Sequence, residues 1–275
     1  MSVHEQSQIL RRSGSAMLCH DRRQASRASE LAQGMGVCGL LLDEIEQWGT
    51  ARDSVQGHEP AQPSHPGLDD MAALFYTGGT TGLPKGVVLS HGALWMQSLN
   101  ALHEYDFGDD TVYLHTAPLF HLADFAATLG VNVAAGRHVF LPDFTPDKVL
   151  DGIEHQGANV AILVPTMIPL VLDAAEARPG ALRRLGTILY GTAPIQEPVL
   201  RRLLEALPEV RLIQVYGQTE VGGGCTALRP EHHHLDPTPV ASRRLVSAGR
   251  PTATFQMKIA DANGHERPVG EVGEV

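Results

Sequence analysis

Short apolar runs alternate with stretches of helical composition along most of this chain. After residue 69 the apolar runs fall at residues 72–76, 111–116, 138–141, 160–164, 187–190 and 211–215. Strands that alternate with helices in this way are typical of a parallel sheet covered by helices on both faces. The pattern therefore predicts the α/β class, with parallel-rich sheets flanked by helices.

The first part of the chain has its own strand and helix pattern. Apolar runs at residues 16–19 and 36–42 flank a stretch of helical composition at residues 22–34, which predicts a strand, a helix and a strand. Residues 51–68 are rich in Pro, Gly, Ser and His without a hydrophobic period, which is typical of a surface connection. We therefore predict a partial N-terminal α/β lobe at residues 1–50, a linker at 51–68 and a core unit at 69–275.

One helix has an especially clear start. Thr145 is a good N-cap residue, Pro146 suits the first helical position, and Val149, Leu150 and Ile153 then fall on one face. The most apolar segment, residues 158–172, is too short to cross a bilayer and is interrupted by polar and proline residues. We expect that segment to be a buried strand that leads into a helix.

Composition limits the classes of partner. The chain has 275 residues, 43% of them hydrophobic, and can bury one large core. Its formal net charge of -10 disfavours nucleic acid or an anionic membrane as the main partner. Cys19, Cys38 and Cys225 lack the spacing of a metal site or a disulfide framework, and no secretory signal is readable at residue 1. A cytoplasmic protein without a transmembrane segment is expected.

The segment LFYTGGTTGLPKGVVLSH, residues 74–91, joins two apolar runs through a loop of small and hydroxyl-bearing residues. Glycines let backbone N–H groups approach an anion closely, hydroxyl groups add donors, and a lysine adds positive charge. The residues concerned are Thr77, Gly78, Gly79, Thr80, Thr81, Gly82 and Lys85. The pattern predicts a cradle for the polyphosphate of ATP.

Other interpretations of this loop fit less well. A Walker A loop, as in a P-loop kinase, needs Gly before its lysine and Ser or Thr after it, whereas Lys85 lies between Pro84 and Gly86. No GxGxxG pattern supports dinucleotide binding. A plain glycine-rich turn between two strands needs neither the hydroxyl groups nor the lysine.

The string YTGGTTGLPKG resembles the signature loop of the adenylate-forming superfamily, which includes acyl-CoA synthetases, firefly luciferase and the adenylation domains of peptide synthetases. Many members have Ser where this chain has Gly79, and Gly at this position resembles the fatty-acyl ligases. The resemblance implies the large N-terminal domain of the adenylate-forming fold. It also implies ATP and Mg²⁺ as cofactors, coenzyme A as a co-substrate and a carboxylic acid, here a fatty acid, as the substrate.

Three further segments resemble the family in order and spacing. APLFH at residues 117–121 resembles the motif whose histidine, here His121, lies beside the acyl substrate and the nucleotide, although a histidine can also simply start a helix. VPTM at residues 164–167 resembles the start of a pocket-lining helix. YGTAPI at residues 190–195 resembles the loop beside adenine, which implies nucleotide-binding roles for Gly191, Thr192, Ala193 and Pro194. Thr192 departs from the Gly-Gly or Gly-Ala pair that is usual there.

The string QVYGQTE at residues 214–220 resembles another signature of the family, although alone it could be a plain loop after a strand. By this resemblance Tyr216 stacks on adenine, Thr219 contacts the α-phosphate and Glu220 is the Mg²⁺ ligand. Gly217 and Gln218 complete the nucleotide-binding set. A hard cation that bridges phosphates does favour a carboxylate with an adjacent hydroxyl group.

Consecutive histidines at residues 232–234 invite a metal interpretation. Neighbouring side chains point in different directions and do not easily close on one ion, so we expect a solvated loop between Pro230 and Pro237 instead. The arginine pairs at 183–184 and 243–244 are expected to be solvated.

The family's reaction has two steps. A carboxylate attacks the α-phosphate of ATP to give an acyl-adenylate and pyrophosphate, and the thiol of coenzyme A then takes the acyl group. By the resemblance, Lys85, Thr219 and Glu220 stabilise the charge that builds on the phosphate oxygens, together with the loop hydroxyl groups.

The resemblance also implies that both ends of a full family member are missing. The start falls inside the N-terminal lobe, and GEVGEV at residues 270–275 falls at the start of the β-rich subdomain. The ribose-binding aspartate, the hinge and the C-terminal domain with its catalytic lysine would follow. The alternative is a non-catalytic nucleotide-binding remnant, or a half-enzyme that needs a partner. In either case the isolated chain is expected to form little or no acyl-CoA.

Overall fold

A computed structural model describes residues 2–44, 65–78, 84–235 and 243–275. The chain divides into two compact units, Met1–Val88 and Leu89–Val275. Most of the expected linker, residues 51–64, lies outside the described residues. In the parts of the chain that are described, no helix is long and apolar enough to cross a membrane.

The first unit contains the predicted strand, helix and strand. Helix α1 (Val3–Ser13) precedes β1 (Met17–His20), α2 (Ala25–Met35) and β2 (Cys38–Leu41), and β1 pairs with β2 in parallel from Met17 opposite Cys38. Strands β3 (Met71–Thr77) and β4 (Lys85–Ser90) form a separate two-stranded sheet. These are the two apolar runs that flank the glycine and threonine loop in the sequence.

The second unit is built on a larger sheet. Its helices are α3 (His91–Tyr105), α4 (Leu122–Val133), α5 (Pro146–Glu154), α6 (Met167–Glu176) and α7 (Glu197–Ala206). Its strands are β5 (Val112–His115), β6 (Arg137–Phe140), β7 (Val160–Ile162), β8 (Thr187–Gly191), β9 (Arg211–Gln218), β10 (Gly223–Leu228) and β11 (Arg250–Pro251). Among the described residues these seven strands have the order β11-β10-β9-β8-β7-β5-β6. The five strands from β5 to β9 run parallel, and β10 and β11 pair antiparallel.

Two apolar clusters cover the two faces of this sheet. On one face, strand residues such as Ile188 and Leu212 pack with residues of α5, α6 and α7, including Leu150. On the other face, residues such as Leu189 and Ile213 pack with residues of α3 and α4. Successive residues of a strand point to opposite faces, which is why Ile188 and Leu189 join different clusters. The predicted α/β class, with a largely parallel sheet between layers of helices, is confirmed.

The helix predicted from Thr145 forms as expected. The Thr145 hydroxyl accepts a hydrogen bond from the backbone N–H of Lys148, and Pro146 is the first helical residue. Val149, Leu150 and Ile153 are fully buried. An N-cap of this kind satisfies one of the free N–H groups of the first turn, while burial of the apolar face supplies most of the helix's stability.

The expectation of a solvated loop around the three histidines is wrong for His233. Its side chain is buried, and its Nε2 atom lies 2.8 Å from the hydroxyl group of Tyr190 in β8. Its Nδ1 atom is 3.0 Å from the Arg229 carbonyl. A short 3-10 turn at Pro230–His232 precedes His233 and directs its ring inward. The polar composition of this segment predicted a solvated loop and did not reveal that the His233 side chain is buried.

Candidate active site

A cavity of about 490 Å³ lies in the second unit. It is enclosed by residues of α3 and α4 and by the face of the sheet that carries Ile162, Leu189 and Val215. The strand order places β6 on one side of β5 and β7 on the other, so the chain reverses its winding direction between β5 and β7. In open α/β sheets, ligands bind at the carboxyl ends of the strands beside such a point.

The walls of the cavity are mostly apolar and made of small side chains. Helix α4 contributes Leu122, Ala123, Ala126 and Ala127, and the strands contribute Gly217, Gly223 and Gly224. Small residues leave the space in which a ligand tail can lie. A cavity of this size and character is typical of small-molecule sites.

Several of the predicted site residues form the rim of this one cavity. His121 follows β5 and is the N-cap residue of α4, and its exposed side chain lies against the Phe120 ring at 4.6 Å. Gly191 ends β8 and Thr192 follows it, while Gly217 and Gln218 end β9 and Thr219 follows them. The sheet thus brings together segments that are up to 98 residues apart in the sequence, because parallel strands all end at the same edge.

The end of β8 has a close backbone contact at Gly191, and the next residue, Thr192, has an unusual backbone conformation. A Cβ atom on Gly191 would lie 2.1 Å from the Val215 carbonyl oxygen, so only glycine fits there. Thr192 has a φ of 66°, a left-handed conformation that is unfavourable for a β-branched residue. The next two residues, Ala193 and Pro194, are exposed and do not line the cavity.

The predicted site residues at the end of β9 lie on two different faces of the sheet. Val215 and Gly217 face the cavity, whereas Tyr216 does not line it, as the alternation of a strand requires. The Gln218 amide nitrogen donates a 3.1 Å hydrogen bond to the Tyr216 hydroxyl group. The Tyr216 ring, which is predicted to stack on adenine, is therefore linked by a hydrogen bond to Gln218 at the cavity rim.

Glu220 lies in a 3-10 turn, Thr219–Val221, directly after β9. Its carboxylate is exposed and has no ion pair within the described residues. A single open carboxylate beside a hydroxyl residue suits Mg²⁺, which keeps several waters and phosphate oxygens and takes few protein ligands. The cluster of Asp151, Glu154 and His155 does not compete for this role, because Arg178 forms ion pairs with both of its carboxylates.

The predicted phosphate loop belongs to the first unit. Thr77 ends β3, Gly78 follows it, and Lys85 opens β4 with an exposed side chain. Gly79, Thr80, Thr81 and Gly82 lie outside the described residues. Lys85 has no ion pair in the described part of the chain, which leaves its ammonium group available to an anion.

Two contacts hold the described flanks of this loop. The Arg12 guanidinium donates a 2.8 Å hydrogen bond to the Pro84 carbonyl. A Cβ atom on Gly86 would lie 3.0 Å from Leu74 and 3.3 Å from the Tyr76 ring, so glycine at this position lets β4 pass close to β3. No local sequence pattern pointed to Arg12, because the contact joins residues 72 positions apart.

Helix α3 supplies cavity residues that motif analysis missed. Gln97, Ala101 and Tyr105 line the cavity, at a spacing of four residues that places them on one helical face. The spacing is visible in the sequence, but nothing there shows that this face meets a cavity.

Comparisons with known proteins agree with this fold. The AMP-binding enzyme family matches residues 1–275, and the chain therefore belongs to that family. A feruloyl-CoA synthase from an Amycolatopsis species is 32% identical over 276 residues, which cover 100% of this chain and 52% of that protein. The medium/long-chain-fatty-acid–CoA ligase FadD8 of Mycobacterium tuberculosis is 34% identical over 75% of this chain and 35% of that protein.

Solved structures show the same relationship. ATP-bound MatB from Rhodopseudomonas palustris has a TM-score of 0.77 and 25% identity, with 99% of this chain and 52% of that chain covered. The MenE synthetase of Bacillus subtilis in complex with ATP and a magnesium ion has a TM-score of 0.76 and 25% identity over the same shares. The chain spans about half the length of the curated relatives named above, or less.

Proposed function

We propose that this chain binds ATP and activates a carboxylic acid as an acyl-adenylate, from which the complete protein transfers the acyl group to coenzyme A. The observation that carries this proposal is the convergence of three motif segments on one apolar cavity. His121, Thr192 and Thr219 come from separate segments and all lie on its rim. The names of the relatives, which are acid–CoA ligases and synthases, support the same reaction class.

In this proposal the acid's tail lies among the alanine and glycine residues of the cavity and its carboxylate lies at the rim. His121 and Thr219 are then placed to orient the carboxylate and the α-phosphate by hydrogen bonds. Positioning of two reactants in this way removes much of the entropic cost of a bimolecular reaction. Tyr216 and the loop at residues 191–194 would bind the adenosine.

The charged groups have separate roles in the proposal. Lys85 and the loop of Thr77, Gly78, Gly79, Thr80, Thr81 and Gly82 would bind the phosphates, a role that rests on the resemblance of the loop sequence. Glu220 would hold Mg²⁺, which neutralises charge on phosphate oxygens when it is bound. No side chain needs to act as a nucleophile, because the substrate carboxylate is itself the nucleophile.

The acid is proposed to have a mainly apolar tail. A fatty acid fits the walls of the cavity, and Gly79 resembles the fatty-acyl ligases. The relatives, however, are named for acids as different as ferulic, indoleacetic, succinylbenzoic and fatty acids. The apolar cavity accommodates an aryl tail as well as an alkyl one.

The test is to identify the products formed from ATP. The chain is incubated with Mg²⁺, ATP and one acid at a time, alone and when extended by the C-terminal half of the feruloyl-CoA synthase. We expect AMP, pyrophosphate and an acyl-adenylate detectable by mass spectrometry in the extended protein. Release of ADP would contradict the proposal, because it indicates attack at the γ-phosphate, as in a kinase. Failure of the extended protein to consume ATP with any acid would favour the non-catalytic alternative.

A further inference from the structure

Two residues of helix α3 show which end of the cavity is its rim. The Gln97 amide nitrogen donates a 3.0 Å hydrogen bond to the Val221 carbonyl, which places Gln97 beside the turn that carries Thr219 and Glu220. Tyr105 is eight residues further along the same helical face, so its backbone is about 12 Å from that of Gln97 at 1.5 Å per residue. Gln97 therefore marks the rim of the cavity, and the Tyr105 hydroxyl group lies further inside, beside Val215 and Gly224.

The hydroxyl group of Tyr105 faces β10. A Cβ atom on Gly224 would lie 2.7 Å from this oxygen and 2.6 Å from Val215, and all three residues line the cavity. The Tyr105 ring packs edge-on against Phe107 with centroids 5.5 Å apart. Both contacts hold the ring in one orientation.

No residue in the described parts of the chain forms a hydrogen bond with the Tyr105 hydroxyl. The walls around it include apolar side chains such as those of Ala101 and Ala127, and the Cys225 thiol is close enough to act on it electrostatically. Burial is the main cause that raises the pKa of Tyr105, and the neighbouring Glu104 carboxylate adds to it. The group is therefore a neutral O–H donor throughout the physiological pH range.

A largely apolar wall that carries an unpaired hydroxyl group distinguishes ligands by their polar atoms. A purely hydrocarbon tail would leave the Tyr105 hydroxyl without a partner, which costs free energy on desolvation. A tail with an oxygen at the matching position would form a hydrogen bond instead. Sites built to bond a substrate hydroxyl discriminate strongly against analogues that lack it.

We propose that Tyr105 is a specificity-determining residue and that the cavity prefers carboxylic acids whose otherwise apolar tail carries a hydroxyl group at its far end. This inference rests on the proposed function for the placement of the carboxylate at the rim. The hydroxyl group can belong to an aryl or to an alkyl tail, since the same hydrogen bond forms with either.

The experiment measures acid binding to the chain by calorimetry with two matched pairs. One pair is 4-hydroxycinnamate and cinnamate, and the other is 8-hydroxyoctanoate and octanoate. We expect the hydroxylated member of at least one pair to bind about tenfold more tightly, the range of one well-formed hydrogen bond. The pair that shows the preference identifies the type of tail.

The variant Tyr105→Phe should abolish this preference and raise the affinity for cinnamate and octanoate, because no unpaired hydroxyl group is then desolvated by an apolar tail. It should not lower the thermal stability of the chain, because the hydroxyl group has no protein partner to lose. The matched control is Tyr113→Phe, which removes a buried hydroxyl group that bonds Asp124 outside the cavity lining. Tyr113→Phe should lower stability and keep the ligand preference.

Equal affinities within both pairs, a preference that survives in Tyr105→Phe, or no binding of any of the four acids would overturn the inference. A failure of the proposed function is recognised separately, because the extended protein would then form no AMP from ATP with any acid. If the extended protein forms AMP from ATP with both members of a pair at equal rates, the proposed function is supported and only the proposed role of Tyr105 is rejected.

Discussion

The hydroxyl group of Tyr113 donates a 3.0 Å hydrogen bond to the carboxylate of Asp124, which is fully buried in the first turn of α4. The Nδ1 atom of buried His115 lies 3.1 Å from the same carboxylate oxygen, without the alignment of a hydrogen bond. On the other side of its ring, His115 contacts His138 at 2.8 Å. This polar chain fixes the start of the helix that carries His121.

Asp124→Ala should therefore be strongly destabilising. Without the carboxylate the buried Tyr113 hydroxyl group loses its hydrogen-bond partner, which typically costs about 1–3 kcal/mol, so the free energy of unfolding in urea should fall by that amount. Asp147→Ala, in the exposed first turn of α5, is the control and should cost under about 1 kcal/mol. Equal losses of unfolding free energy in the two variants would contradict a stabilising role for the contact between Asp124 and Tyr113.

His233 predicts a dependence of stability on pH. Burial lowers its pKa from 6.5 to about 4, and the hydrogen bond with the Arg229 carbonyl opposes this only in part. Because the unfolded chain takes up this proton at higher pH than the folded chain, stability is full above pH 6.5 and falls as the pH decreases towards 4. The loss attributable to His233 should reach about 3 kcal/mol.

The check is urea unfolding at several pH values between 7 and 4. In His233→Gln the free energy of unfolding should fall less as the pH decreases, because the glutamine side chain does not ionise and can still form a hydrogen bond with the Tyr190 hydroxyl group. His234→Gln, at an exposed neighbouring position, should leave the decrease unchanged. An identical pH profile for His233→Gln and the unaltered chain would contradict the role of burial.

Thr192 stores backbone strain at the cavity rim. A left-handed conformation costs a non-glycine residue about 1–2 kcal/mol, and Thr192 adopts it with a φ of 66°. Thr192→Gly should therefore raise the free energy of unfolding by about 1 kcal/mol after the entropic cost of glycine is included. Ala193→Gly, next to it and without a positive φ, should instead lower stability slightly. A loss of stability in both variants would rule out strain.

The phosphate loop should be shielded by its ligand. Lys85 is exposed at the start of β4, so trypsin can cut after it. Mg²⁺ with ATP should slow this cleavage, because backbone amides and the ammonium group would bind the phosphates. Cleavage after exposed Lys258, whose Nζ atom bonds the Gly264 carbonyl, is the internal control and should not change. Equal cleavage after Lys85 with and without ATP would remove the support for a phosphate loop.

Local patterns predicted most of the sheet but only part of the site. The strand runs and the cap at Thr145 depend on neighbours in the sequence, and they form where expected. Strand β10 was missed because it begins with Gly223 and Gly224, which are typical of turns. Burial of His233 and the cavity face of α3 arise from packing between distant segments, so no local pattern could reveal them.

Motif resemblance found the rim of the cavity and missed its inner end. His121, Thr192 and Thr219 were predicted and do line it, whereas Tyr105 and Gln97 belong to no motif. The roles of all these residues stay predictions, and Tyr216, Glu220, Ala193 and Pro194 lie next to the cavity lining rather than in it.

The most direct test of the account is acid-dependent exchange of labelled pyrophosphate into ATP, measured on the chain extended by the C-terminal half of a relative. Exchange occurs only if a carboxylate attacks the α-phosphate reversibly. We predict acid-dependent exchange that falls by about two to three orders of magnitude in Glu220→Gln, the usual cost of removing one transition-state stabiliser. The exposed Glu231→Gln should exchange normally. Exchange that persists undiminished in Glu220→Gln, or that never depends on an acid, would contradict the account.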